Sequence, residues 1–321
     1  MERDLRAIGW SAVVYGLPTV RLHRILVNLA LDRLSPEFNA PLNAFAHARA
    51  PADPNDPSIA AMNVDTPYSY AWLDLRTEPI VLTVPPHEPE RDVSIELVDL
   101  YTYVVGDVSL RTNGSAGGQF LVTGPGWSGD AAVGVGVFAC PTELALVLVR
   151  THVLDDADLA NVIALQDQMG VQALSAWSGR PGPREVTTPP VPDLATVDVR
   201  APLDGHFLHV LDVMLALMPL LPGDEHVREE LAGIGVGGPG LAELLDDPQA
   251  HAELVSGLAE GLADVRARCA SVRSAAELVG SREHFAGDHL ARAAGAYLGI
   301  LGGSAMRDCS SSVQLGDAGP T

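Results

Sequence analysis

Lysine is absent from the 321-residue sequence: all 20 basic residues are arginine, against 41 acidic residues. The formal net charge is therefore −21. Nucleic acids and anionic membranes are bound through clustered cations, so this charge argues against both as partners. Cysteine is also scarce. Cys140, Cys269 and Cys309 lie far apart in the sequence, which is typical of reduced thiols in a cytoplasmic protein rather than of a disulfide framework.

Long hydrophobic runs and cofactor motifs are missing as well. No segment is apolar over enough residues to span a bilayer, and the first residues lack the pattern of a secretory signal, so we predict a cytoplasmic protein. No GxSxG, P-loop or strand-linked GxGxxG motif is present. His206, His209 and Asp212 share a helix face, but their spacing is not that of an HExxH zinc site. The sequence therefore predicts neither a metal site nor a cofactor.

Strand-like and helix-like segments occupy different parts of the chain. Short runs rich in Val, Leu, Tyr and Thr, interrupted by Gly and Pro, fill residues 60–152, and their connections are too short for crossover helices. We predict an α+β fold with an antiparallel β-sandwich-like core, N-terminal helices and a helical C-terminal region. The predicted organisation is residues 1–152 for the N-terminal helices and the β-rich core, 153–303 for the helical region, and 304–321 for a disordered tail.

The positions of proline, glycine and acidic residues predict the form of the first helix and the start of a later one. Gly16 and Pro18 interrupt the first amphipathic pattern, which predicts two short helices or one kinked helix. The segment 155–174 has apolar residues at helical spacing behind an acidic start, which predicts a helix.

Polar and titratable side chains concentrate between Phe45 and Pro85, on turns beside predicted strands, as in many functional sites. A histidine near a carboxylate has its tautomer fixed and can act as a general base. A buried aspartate and a tyrosine can exchange a proton with a substrate. The alternative is structural, with Asx turns and an arginine tether at Arg49. The predicted catalytic residues are His47, Asp65, Tyr68 and Asp74.

Asp99, Tyr101 and Tyr103 alternate along a predicted strand and therefore share a face. A carboxylate and two phenols need partners when buried, so this face borders either a polar-edged cavity or solvent. Arg111 follows an apolar strand, where it could bind a substrate oxygen or pair with a nearby acid. The predicted substrate-binding residues are Asn63, Trp72, Tyr101, Tyr103 and Arg111.

Several motifs occur in a set order: YGLP, FAHAR-x-x-ADP, NVDTPYSYAWLDL, PIVLTVP, LVDLYTYVVG, LRTNG, FLVTGPGWSG and VRTHV. In order and spacing, over about residues 9–240, the chain resembles the domain of unknown function 1254 family. The resemblance implies a mainly-β domain with packed helices and supplies no established reaction. Family members usually continue into a domain of unknown function 1214, so the chain is similar to the first domain standing alone. Pro67 stands where the family usually has a bulkier aliphatic residue.

The acid/base groups and the absence of cofactor motifs favour a cofactor-independent enzyme of isomerase, cyclase or lyase type. Its substrate would be a small, largely apolar metabolite, in specialised metabolism. The alternative is a non-catalytic small-molecule-binding or assembly module. That alternative draws on the segment VLDVMLALMPLL, which fits an oligomer interface as well as a core helix, and it leaves a homo-oligomer open.

Overall fold

Two stacked β-sheets form the centre of the fold, and helices cover the outer face of the first sheet. The computed structural model describes residues 4–51, 66–130, 134–155, 157–182, 190–285, 287–301 and 304–305. The predicted α+β class, with a sandwich-like core and packed helices, is confirmed.

The first sheet is antiparallel and is buried on both faces. Its strands are Ala46–His47 (β1), Tyr68–Asp74 (β2), Val93–Asp99 (β4), Val104–Val108 (β5) and Leu144–Thr151 (β8), paired in the order β1-β2-β8-β4-β5. On the central strand β8, Leu146 and Leu148 pack against the helices, whereas Val147 and Val149 face the second sheet. Because both faces are covered, the strand is an almost continuous apolar run.

The second sheet is mixed. Its strands are Ile80–Val84 (β3), Gly118–Thr123 (β6), Gly136–Ala139 (β7) and Gly170–Ala173 (β9), paired in the order β7-β6-β3-β9. Strand β7 runs parallel to β6, whereas β3 is antiparallel to both of its neighbours. The core is therefore not antiparallel throughout, because the direction of a pair depends on how the chain returns between strands rather than on local pattern.

The segment 155–174 contains a helix and a strand, where the sequence predicted only a helix. Helix α3 spans Leu159–Gln166 and is followed by β9. The backbone of β9 pairs with the edge of β3, with Gly170 opposite Thr83. This tertiary pairing satisfies backbone groups that a longer helix would otherwise have satisfied internally.

The N-terminal helix α1 spans Leu5–Leu26 without interruption and passes through Pro18. A π-helical turn, Val27–Leu31, extends it. The Asp4 side chain accepts a hydrogen bond from the backbone of Ala7 and caps the first turn. Of the two predicted alternatives, two short helices do not form and a single helix does, because the residues from Ala12 to His23 are buried and packing outweighs the cost of proline.

The remaining helices pack mainly on the outer face of the first sheet and around α1. Several begin at an aspartate that caps the first turn, including Asp204, Asp247 and Asp288. Their bounds are Leu110–Asn113 (α2), Leu174–Ser178 (α4), Gly205–Leu215 (α5), Glu225–Ala232 (α6), Leu241–Asp246 (α7), Pro248–Ser271 (α8), Arg282–Phe285 (α9) and His289–Tyr297 (α10), with a 3-10 turn at Ala275–Leu278.

The chain ends in a short hairpin of Ile300–Leu301 (β10) and Ser304–Ala305 (β11). These two residues of β11 belong to the segment predicted as a disordered tail, and residues 306–321 lie outside the described residues. Across the described ranges, no helix is both long and apolar enough to cross a membrane.

Candidate functional site

His47 lies at the edge of the first sheet, beside the end of α3. Its Nδ1 is 2.7 Å from the hydroxyl oxygen of the fully buried Ser69, and Gln166 donates to the same oxygen at 3.3 Å. Arg49 pairs with Asp167 at 2.7 Å. Burial lowers the pKa of His47, and Arg49 lowers it further, whereas Asp167 opposes the shift. The polar groups thus link β1 and β2 to α3.

Tyr68 lies on the opposite face of the sheet from Ser69, since neighbouring residues of a strand point to opposite sides. Its ring stacks on Tyr70 with a centroid distance of 5.9 Å, and the Arg150 guanidinium lies 5.7 Å from the ring centre. Arg150 in turn pairs with Glu96 at 3.2 Å. His47 and Tyr68 therefore face different surroundings.

Asp74 lies at the far end of β2, six residues or roughly 20 Å from Tyr68. Its carboxylate accepts two hydrogen bonds from the Arg76 side chain, at 2.8 and 2.7 Å, and its backbone N–H donates to the Asn43 side chain. Asp74 thus stabilises a turn through these hydrogen bonds and lies far from His47.

Trp72 is buried and borders a small cavity that is open to solvent and has room for about one water molecule. Its indole nitrogen has no hydrogen-bond partner among the described residues. Arg111 lies on α2 with its side chain 85% exposed, 3.8 Å from Asp107. Asn63 and Asp65 lie outside the described residues. The roles assigned to these residues from sequence stay predictions. The cavity is lined by Leu29, Asn39, Ala40, Ala44, Ala46, Tyr70, Ala71 and Trp72.

Tyr101 and Tyr103 lie on a tight turn rather than on a continuous strand, which corrects the predicted alternation with Asp99. Strand β4 ends at Asp99, and Thr102 adopts a left-handed backbone with φ of 67°. The buried Asp99 carboxylate accepts a hydrogen bond from the backbone of Tyr103 at 2.9 Å. Such a backbone is strained for a β-branched residue, and the sequence pattern of a strand does not reveal it.

This turn lies near a group of titratable side chains from α1, the start of α6, α9 and α10. We call Tyr15, Tyr101, Asp224, Arg282 and His289 the Asp224 cluster. The Tyr15 hydroxyl donates to Asp224 at 3.1 Å, and Arg282 donates to the same carboxylate at 2.8 Å. The His289 Nε2 lies 3.9 Å from the other oxygen of Asp224, and the His289 ring meets the Tyr15 ring edge-on at 5.1 Å. The cluster therefore places a carboxylate, an imidazole, a guanidinium and a phenol within reach of one another.

Asp224 occupies the N-cap position of α6, but its carboxylate does not cap that helix. It is 2% exposed and is directed at Tyr15 and Arg282 instead. Arg282 and His289, the first residues of α9 and α10, keep 29% and 28% of their side chains exposed. The cluster is thus buried at Asp224, whereas Arg282 and His289 are partly open to solvent.

Burial controls the protonation of the cluster. It lowers the pKa of His289, as does Arg282, while Asp224 and Asp288 oppose the shift. It raises the pKa of Tyr15, and the neighbouring Tyr101 and Asp224 add to that rise. Near neutral pH the imidazole is therefore a free base and the phenol keeps its proton.

Sequence reasoning pointed to Tyr101 but not to the other members of the cluster. Asp224 and His289 lie in acidic helical segments where such residues are ordinary. Tyr15 and Asp224 are 209 residues apart in the chain. One local feature distinguishes two members of the cluster: Arg282 and His289 each occupy the first position of a short helix. Among the described residues, no group of three or more His, Cys, Asp or Glu side chains is arranged so that it could hold a metal ion.

The buried Asp99 is expected to lower the free energy of unfolding as the pH rises from about 4 to 7. Burial raises its pKa to about 7, although Arg292 and Arg282 oppose the shift. The folded chain therefore holds a proton that the unfolded chain releases above about pH 4. Relative to the wild type, Asp99→Asn should gain about 1 kcal/mol of unfolding free energy per pH unit between about pH 4 and 7. Urea unfolding at several pH values measures this, and a constant difference between the two proteins would contradict it.

A family model described as "Protein of unknown function (DUF1254)" matches residues 42–173. The resemblance to this family is confirmed over that range. The VPA0106 protein from Vibrio parahaemolyticus has a similar crystal structure, with a TM-score of 0.73 and 23% identity, covering 93% of this chain and 68% of that chain. At this identity the likeness shows the fold alone.

An uncharacterised protein from Burkholderia cenocepacia aligns with a TM-score of 0.29 and 16% identity, covering 53% of this chain and 43% of that chain, and carries no argument. No curated protein matches the sequence.

Proposed function

We propose that the chain is a cofactor-independent acid/base enzyme of isomerase, cyclase or lyase type that acts on a small, largely apolar metabolite at the Asp224 cluster. The observation that carries this proposal is the buried Asp224 carboxylate, which is bonded to Tyr15 and Arg282 and lies 3.9 Å from His289. A base and a cation held on one rigid carboxylate are the groups needed to remove a proton next to a carbonyl.

Each group has a separate role in this reaction. The neutral His289 imidazole accepts the proton from carbon, with Asp224 positioning the ring from its Nε2 side. This contact is longer than a hydrogen bond, and such contacts often shorten when substrate binds. The electron pair left on carbon moves to the carbonyl oxygen, where the Arg282 guanidinium stabilises the negative charge. Return of the proton to another carbon gives isomerisation, and departure of a leaving group gives elimination.

The surroundings of the cluster suit a substrate with an apolar body. The rings of Tyr101 and Tyr103 lie beneath the Arg282 guanidinium, at 5.2 and 5.9 Å from their centres. Phe285 lies 6.4 Å from Tyr103, ring centre to ring centre. Aromatic faces of this kind bury apolar area and leave the polar groups to orient the reacting atoms.

The test is the exchange of carbon-bound protons for deuterium in a panel of small, mainly apolar ketones and enones. NMR spectra recorded in D2O measure the rate of this exchange. Exchange that depends on the protein is expected, and His289→Gln should slow it by about 10²- to 10⁴-fold, the usual contribution of a general base. The matched control is His226→Gln, since His226 is 88% exposed and pairs with Glu230 on α6. Exchange at the wild-type rate in the His289 variant, or no exchange with any panel member, would contradict the proposal.

A non-catalytic small-molecule-binding module is the second candidate, favoured by the buried indole N–H of Trp72, which has no hydrogen-bond partner among the described residues. Binding of a panel compound without exchange would favour this candidate. The segment VLDVMLALMPLL lends the assembly alternative little support, because most of its large apolar side chains are buried within this chain and Leu220 is the one large apolar side chain of the segment that is mainly exposed, at 51%.

A further inference from the structure

Arg282 of the Asp224 cluster has two further arginines, Arg228 and Arg292, near the same tyrosines, in a chain whose net charge is −21. Arg282 lies over the rings of Tyr101 and Tyr103, and Arg292 lies 4.9 Å from the Tyr103 ring centre. Arg228 acts electrostatically on Tyr101 together with Arg282. Two of the three cations, Arg282 and Arg292, thus stack on tyrosine faces.

Four carboxylates lie around these arginines and His289, and only two of them are buried. Asp224 pairs with Arg282. Asp99 is the second buried carboxylate, and because burial raises its pKa to about 7 it carries only part of a charge near neutral pH. Asp288, which acts on His289, and Glu283, which interacts electrostatically with Arg282, are exposed to solvent. Counting only the buried acids, three guanidinium groups therefore face two carboxylates.

Several guanidinium nitrogens also lack hydrogen-bond acceptors. Arg292 is 3% exposed, and its Nη2 donates to the carbonyl and hydroxyl oxygens of Thr102. Its Nε and Nη1 are buried without a partner in the described part of the chain, and so is Nη1 of Arg228. Burial lowers the pKa of Arg292 to about 10, so the group remains charged near neutral pH. Buried donors without acceptors are costly, and an anion would satisfy them.

We propose that this site binds the carboxylate group of its ligand through the partly exposed Arg282 and the free N–H groups of Arg292 and Arg228. The planar, two-oxygen carboxylate matches the fork of a guanidinium, and the tyrosine faces receive the apolar remainder of the molecule. The inference rests on the proposed function in that it names the substrate class of the same site, a small apolar carboxylic acid.

The experiment is titration calorimetry of the full chain with acetate, butyrate and cyclohexanecarboxylate, each compared with its uncharged amide and with inorganic phosphate. At least one carboxylate is expected to bind at least 10-fold more tightly than its amide, with phosphate weaker still. Arg282→Gln should weaken carboxylate binding by 10-fold or more, and Arg282→Lys should restore part of it, since lysine keeps the charge but not the fork. Arg292→Gln should also weaken binding, and near-UV circular dichroism establishes that each variant is folded.

The matched control is Arg273→Gln, because Arg273 is 95% exposed, pairs with Glu277 and lies before the 3-10 turn Ala275–Leu278. It should bind the carboxylates as the wild type does. The assignment is overturned if the amides bind as well as the acids, if phosphate binds more tightly, if Arg282→Gln binds unchanged, or if no carboxylate binds at about 10 mM. Carboxylate binding without exchange at carbon would keep this site and reject the enzyme, so the two proposals fail separately.

Discussion

Replacing Arg91 with Met is expected to lower the free energy of unfolding by about 3–5 kcal/mol. Arg91 is 1% exposed and donates to both oxygens of Asp158 at 2.7 Å. It also donates to the carbonyl of His152 and to Glu88. The variant would leave the Asp158 carboxylate, itself 6% exposed, without its counter-ion, and an unpaired buried charge is far costlier than a lost surface pair.

Urea unfolding measures this loss. Arg273→Met removes an arginine whose side chain is 95% exposed, so it should change stability by less than about 1 kcal/mol. The double variant Arg91→Met with Asp158→Leu should recover much of the loss, since it buries neither charge. If the single and double variants were equally unstable, the cost would come from lost packing rather than from the stranded carboxylate.

Adding one methyl group at Gly257 is expected to destabilise the protein by about 2–3 kcal/mol, even though alanine favours helices over glycine by about 1 kcal/mol. Gly257 of α8 packs directly against α1. A Cβ at this position would overlap the backbone carbonyl of Arg6 and come within 3.0 Å of the Gly9 Cα. Backbone atoms cannot rotate away as a flexible side chain can, so the two helices would have to separate.

The matched variant is Gly238→Ala, because a Cβ there meets nothing within 4 Å and the backbone is not left-handed. Its stability should stay within about 1 kcal/mol of the wild type. Thermal and urea unfolding of both proteins measure the comparison. A Gly257→Ala protein as stable as the wild type, or more so, would mean that the helices are not held at this distance in solution.

Only part of the candidate site could be predicted from local sequence patterns. The aromatic pair Tyr101 and Tyr103 was predicted as part of a site because phenols beside an aspartate are unusual on a dry strand. The structure puts them on a strained turn at Thr102 instead. Asp224 and His289 could not be predicted, since each looks like an ordinary polar residue of a helical segment. Their significance comes from burial and from contact with residues distant in sequence.

The α+β class, the sandwich-like core and the resemblance confirmed over residues 42–173 were predictable from the sequence, because strand alternation, turn residues and ordered motifs are local properties. Three features emerge only in the folded chain: the continuous path of α1 through Pro18, the parallel pairing of β6 and β7, and the contacts among Tyr15, Asp224 and His289. Each of these depends on contacts between segments far apart in the chain. The free energy of such packing outweighs local propensity, and no local pattern records it.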